Sequence, residues 1–315
     1  MKHLARLTAL TLAAGLAGPV TASQISGNLP PSLVNQEPVC ETMARATLIA
    51  ARSDVETAFW LNLANLINDP DCDLPACVKE SWAARGAAIA LAEEQYAARL
   101  VICAALGSGP YAPRLLAADF TPDVTNPLHP LYVGRTLVYE SQTEAGLEHI
   151  EVTVTDQVTE IAGFPCRTVS TVESLDGVLQ QHTVDWFSQH ADGTVWYLGE
   201  VAQQFQDGIL SSLDGSWRTD SAGAKPGVQM LDTPLVGEVY RMEFQLGTAE
   251  DVSRVLATDV TVTVAAGTFD GCLMIEEWSP LETTDIVTKY YAPRFGLVLE
   301  VGQLNGERLE LIDVR

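Results

Sequence analysis

The residues Ile150-Glu151-Val152-Thr153-Val154-Thr155 and Val260-Thr261-Val262-Thr263-Val264 alternate apolar and polar side chains with a period of two. That period puts every second residue on the same face of a strand, so each run describes a sheet with one apolar face. Around them, Asp176-Gly177, Asp192-Gly193, Asp207-Gly208, Asp214-Gly215 and Asn305-Gly306 separate further apolar runs. Such pairs supply the positive φ of tight hairpins, so neighbouring strands are expected to be antiparallel. The strand pattern begins at Leu131 and runs to Arg315.

Within that stretch the pattern occurs twice. Pro130-Leu131-Tyr132-Val133-Gly134, leading into Val138-Tyr139-Glu140, is answered by Pro234-Leu235-Val236-Gly237, leading into Arg241-Met242-Glu243. Ala162-Gly163-Phe164 with Cys166 is answered by Ala266-Gly267, Phe269 and Cys272, and Trp186-Phe187 by Tyr290-Tyr291. The nearly constant offset, set against the plainer view that all β meanders look alike, reads as a duplicated unit at residues 131–230 and 231–315.

Upstream the period changes to 3.6. Leu48, Val55, Phe59, Leu63 and Leu66 recur at helical spacing between Glu41 and Asn68, as do Val78, Trp82, Ile89, Ala92, Tyr96, Cys103 and Leu106 between Ala76 and Leu106. Asp69-Pro70-Asp71-Cys72-Asp73 separates the two runs, and Gly107 stops the second. Two helices of about 40 Å joined by a short turn bury their apolar stripes by folding back antiparallel. Cys72 lies beside the midpoint of Cys40 and Cys103, so that pair meets at the open end while Cys72 and Cys77 close the turn. Four cysteines allow three pairings, and only this one respects the hairpin. Cys166 and Cys272 hold matching places in the two β units. They bridge if a pseudo-twofold axis joins those places; as equivalent positions sit apart, two buried thiols are favoured. The expected organisation is a hairpin at 36–107, a Pro-rich linker at 108–130 and a β domain at 131–315.

The sequence starts with Lys2 and Arg6, an apolar run from Leu7 to Val20, and Thr21-Ala22-Ser23. A basic start, a short apolar stretch and a small-residue exit describe a signal peptide over residues 1–22, with no integral membrane segment after cleavage. The compartment is then periplasmic or extracellular, where an even set of six cysteines fits disulfide formation. Forty-one acidic residues against eighteen basic ones give a formal net charge of −23. Phosphate backbones would be repelled, which excludes nucleic acid as a partner.

Asn126-Pro127-x-x-Pro130-Leu131 with Tyr139-Glu140, Asp185-Trp186-Phe187-x-Gln189, and Asp192-Gly193-x-Val195-Trp196-Tyr197-x-Gly199-Glu200 together resemble a group of uncharacterised secreted bacterial proteins. The Cys-bearing helical segment is similar to theirs too. Val264-x-Ala266-Gly267-Thr268-Phe269 and Tyr290-Tyr291-Ala292-Pro293-x-x-Gly296-Leu297-Val298 are similar to strand motifs of periplasmic half-barrel domains. These resemblances imply a secreted chain with a curved sheet or half-barrel, and they hand over no catalytic residues, because the shared motifs are turns and aromatic strand positions. His190-Ala191 stands where the group carries charged residues.

Few residues suggest chemistry. His129, His149, His182 and His190 lie close together in sequence, but His182 and His190, eight residues apart on one strand, are held roughly 26 Å from each other. Surface histidines are therefore preferred to a metal site. The carboxylates at Asp69, Asp71 and Asp73 lack the Gly and distal Glu of a calcium loop and read as helix-end residues. No Gly-x-Ser-x-Gly elbow occurs, although His182 with Asp185 and a distant Ser could form a triad. Glu276-Glu277 reads as a solvated edge in so acidic a chain. Trp186, Trp196 and Tyr197 are either core or the aromatic wall of a ligand site, and the length of the loop at Asp192-Gly193 decides which of them share a face.

The expectation is an α+β protein: an N-terminal α-helical hairpin followed by a mainly antiparallel β domain with an internal duplication. Its leading function is non-catalytic, an extracytoplasmic binding or envelope-associated module for an apolar ligand or partner protein, without cofactor or metal. The alternatives are a secreted hydrolase using His182 and Asp185, and a structural secreted protein without a small ligand.

Overall fold

The computed structural model describes residues 38–221 and 223–315, so the signal-peptide reading of residues 1–22 lies outside the described residues. The chain divides between Pro110 and Tyr111 into a helical unit and a β unit.

The helical unit is a hairpin of α1 (Val39–Asn68) and α2 (Leu74–Leu106). Pro75 near the start of α2 and Gly107 after its end fit the preference for proline early and glycine late in a helix. Cys40 is joined to Cys103 and Cys72 to Cys77, with Cα separations of 5.7 and 6.5 Å. The Cys40 amide also donates to Ser108 O, and Ser108 Oγ donates to Glu41, which ties the open end together. Midway along, Phe59 packs 4.6 Å from Trp82, and Arg85 pairs with Glu56. Two helices alone bury only narrow stripes. Phe59, Ala92, Ile102 and Cys103 are buried, but Trp82, expected on the apolar side, remains 49% exposed. No helix among the described residues is long and apolar enough to cross a membrane.

The β unit contains β1 (Phe120–Thr121), β2 (Thr136–Thr143), β3 (Gly146–Ile161), β4 (Phe164–Leu175), β5 (Val178–His190), β6 (Val195–Gln206), β7 (Ile209–Ser212), β8 (Trp217–Arg218), β9 (Gly227–Met230), β10 (Val239–Arg241), β11 (Val252–Val264), β12 (Gly267–Trp278), β13 (Ile286–Ala292), β14 (Gly296–Gly302) and β15 (Arg308–Val314). Two meanders, β2 to β7 and β10 to β15, are fused into one antiparallel sheet because β15 pairs with β2. The far ends also meet. β9 pairs with β6, and a bridge between Lys225 and Phe244 carries the sheet across to the chain beyond β10. Gly227 makes this approach possible, since a Cβ there would sit 1.8 Å from Met242 O. The sheet thus goes further than a half-barrel and curls until its edges touch.

The meanders match in detail. In the first, Phe187 pairs with Tyr197 and Trp186 with Gly199, leaving Leu198 as an extra residue. In the second, Tyr291 pairs with Leu297 and Tyr290 with Leu299, leaving Val298. A bulge of this kind bends a strand and increases its twist, so each meander curls at the same place. The inward faces of both fill one core, with Tyr139, Ile150, Phe187, Ile275, Tyr291 and Leu311 among its members. A smaller cluster of Phe120, Ile161, Phe164, Cys166, Trp186 and Leu198 is separate from it.

Cys166 and Cys272 are free and buried, the first in the smaller cluster and the second in the main core. Burial pushes the Cys166 thiol up to about 12 and raises Cys272 as well, so neither is a reactive thiolate at neutral pH. Alkylation of the native oxidised protein is expected to label neither residue, and alkylation after denaturation without reductant to label both. A non-reducing peptide map that joined Cys40 to Cys72 would overturn the pairing.

Candidate functional site

Trp186 and Tyr197 are buried at 8% and 4% exposure, and Trp196 is partly buried against both clusters. A three-residue loop at 191–193 closes the β5–β6 hairpin, with the His190 amide donating to Thr194 O. Phe187 and Tyr197 accordingly share a face and stack at 4.7 Å. The bulge at Leu198 lies just beyond them, where no pattern in the sequence announces it.

His182 and Asp185 are three residues apart in a regular part of β5 and so point to opposite faces. His182 Nε2 lies 3.0 Å from Ser170 Oγ, while Asp185 accepts a hydrogen bond from the Tyr197 hydroxyl at 2.5 Å. The sheet therefore separates the two residues of the supposed triad. His149 Nδ1 lies 3.1 Å from Glu140, and His190 Nδ1 3.0 Å from Asp192. Among the described residues no three His, Cys, Asp or Glu side chains are grouped as metal ligands.

The inward face carries charges, among them Glu277, which was expected in a solvated edge. Glu277, on β12, is 6% exposed, and Lys289 and Glu300 are 2% and 1% exposed. Lys289 Nζ donates to Glu277 at 2.5 Å and lies 3.7 Å from Glu300, its register partner on β14. Burial alone would push Lys289 down, but the two carboxylates more than offset this and hold it well above the usual range. Strand parity is the signal that could have located the group, because Lys289 alternates in step with Val287 and Tyr291, both buried. In the first meander Asp185 pairs with Glu200 at the matching place, and Tyr197 stands beside both. Burial and these carboxylates keep the Tyr197 hydroxyl protonated. Lys289→Met leaves two buried carboxylates without their cation and is expected to cost about 3–5 kcal/mol in urea unfolding. Adding Glu277→Leu and Glu300→Leu should restore most of that loss.

Residues 122–131 cover the core. Asn126 Nδ2 donates to Gly193 O and Leu231 O, Gln189 Oε1 accepts from the amides of Thr125 and Asn126, and Val124 is 2% exposed. His129 meets Phe187 edge to face at 5.3 Å between ring centroids, and its Nε2 is buried without a hydrogen-bond partner. Burial, helped by Arg135, lowers its pKa from 6.5 to about 3. A folded-state value below the unfolded one means the unfolded chain binds the proton first. Stability is then complete above pH 6.5 and falls as pH drops toward 3. His129→Phe is expected to flatten the decline between pH 6.5 and 5, measured by urea unfolding at each pH.

On the outer face, along the seam between β2 and β15, lies an open groove of about 560 Å³. Leu147, Ala265 and Ile312 give it aliphatic surface, and Glu140, Glu307, Glu310 and Arg308 give it charge. The turn of Asn305-Gly306 and the tip of the β11–β12 hairpin at Ala265 form part of its wall. The sequence reading singled out none of these residues as a site, because only the long-range pairing of β15 with β2 brings them together.

No family model matches the chain, and no curated protein does so. Among solved structures it is similar to a candidate lipoprotein from Parabacteroides distasonis, at 14% identity, over 60% of this chain and 98% of that one, with a TM-score of 0.33.

Proposed function

We propose that the chain is an exported, non-catalytic binding protein whose ligand site is the groove along the β2–β15 seam. The groove itself carries this reading: its volume falls within the range of small-molecule sites, and three aliphatic side chains lie in it among six polar or charged ones. The aromatic residues first considered as a ligand wall are occupied in packing instead. Export rests on the basic, apolar and small-residue start of the sequence and on two disulfides, which suit an oxidising compartment.

A hydrolase would need a base held by a third group, and Asp185 points away from the Ser170–His182 pair. The mature protein is expected to cleave p-nitrophenyl acetate no faster than its His182→Ala variant. Native mass spectrometry after exposure to a small-molecule envelope extract should show an adduct that Ala265→Trp, which fills the groove, abolishes. A rate that depends on His182, or an adduct unaffected by Ala265→Trp, would count against the proposal.

A further inference from the structure

Resting on that reading, we infer that the groove takes an alkylammonium group carried on an aliphatic chain. Glu140 and Glu310 are direct register partners across the β15–β2 ladder. Like charges placed directly opposite each other destabilise a sheet, and these lie on the pairing that fuses the two meanders. Each carboxylate is answered from the side. His149 Nδ1 approaches Glu140 at 3.1 Å, and Glu310 accepts from Arg308 Nε at 2.7 Å and from the Ala265 amide at 3.2 Å. Glu307 adds a third carboxylate at the rim, accepting from Asn305 Nδ2 at 2.6 Å.

Arg308 is thus the one permanently charged cation among the groove's lining residues, against three carboxylates. An anion would meet net repulsion there, and a purely apolar ligand would strip water from the carboxylates without replacing it. An ammonium group has three donors and could bridge Glu140 and Glu310 while its carbon chain lies on Leu147 and Ile312. The acidic chain would also draw such a ligand toward it.

Because so acidic a protein attracts any polyamine, the test compares sites of equal charge. Isothermal titration of the mature protein uses spermidine and a lysine-containing tripeptide, with glutamate and glucose as controls. Glu140→Gln combined with Glu310→Gln is expected to weaken both cationic probes roughly tenfold. Asp69→Asn with Asp71→Asn, which removes the same charge from the hairpin turn, should leave them unchanged. Tighter binding of the tripeptide would identify the source as a partner's lysine side chain, and tighter binding of spermidine a free polyamine. Equal weakening by the two double variants would overturn the inference. Glucose or glutamate binding that Ala265→Trp abolishes, with no response to either cation, would overturn the ammonium class and keep the groove. If Ala265→Trp alters the binding of no probe, the groove itself is not the site.

Discussion

The β unit depends on the pairing of its last strand with its first long one. β15 lies against β2 through Glu310–Glu140, Leu311–Tyr139 and Asp313–Val138, and this ladder turns two meanders into one sheet. Without it each meander would hold an apolar face with too little to cover it. With it, Tyr139 and Leu311 stand in the same core, and the Tyr139 hydroxyl donates to Leu297 O at 2.9 Å in the other meander. The same ladder forms the outer groove, since Glu140, Glu310 and Ile312 belong to its two strands. Packing inside and the shape of the groove outside therefore share one cause.

The two meanders keep the same bend but fill it with different charges. The place of Lys289 in the second is held by Asp185 in the first, while Glu300 and Glu200 correspond. Lys289 lies between two carboxylates and stays charged, whereas Asp185 is met by a tyrosine hydroxyl. A buried charge is costly unless it is paired and hydrogen-bonded, and Lys289 meets that cost by pairing, whereas Asp185 is only partly buried.

The hairpin, the disulfide pairing and the antiparallel strands were legible because they rest on local signals: period, turn chemistry and cysteine spacing. Glu277 was misplaced because a chain with forty-one acidic residues makes a pair such as Glu276-Glu277 look ordinary, and Lys289 drew no reading at all. Parity against Ile275 and Val287 would have turned both side chains inward. The groove was not legible. Glu140 and Glu310 are 170 positions apart, and no periodicity links strands at that distance. His182 and Asp185 show the reverse error, since closeness in sequence suggested a partnership that strand geometry forbids.

The two units also differ in what holds them together. The β unit has a large core, contains no disulfide and keeps both of its cysteines as buried thiols. The hairpin leaves Trp60, Leu61, Ile67 and Trp82 largely exposed, so apolar burial alone gives it little stability. Closing a loop across 63 residues with Cys40–Cys103 contributes about 4 kcal/mol in the chain-entropy picture, comparable with what a core so thin can supply. The hairpin is therefore the part whose folding depends on an oxidising compartment. The β unit holds its two cysteines as buried thiols, so it is the two disulfides of the hairpin, rather than the sheet, that suit an oxidising compartment.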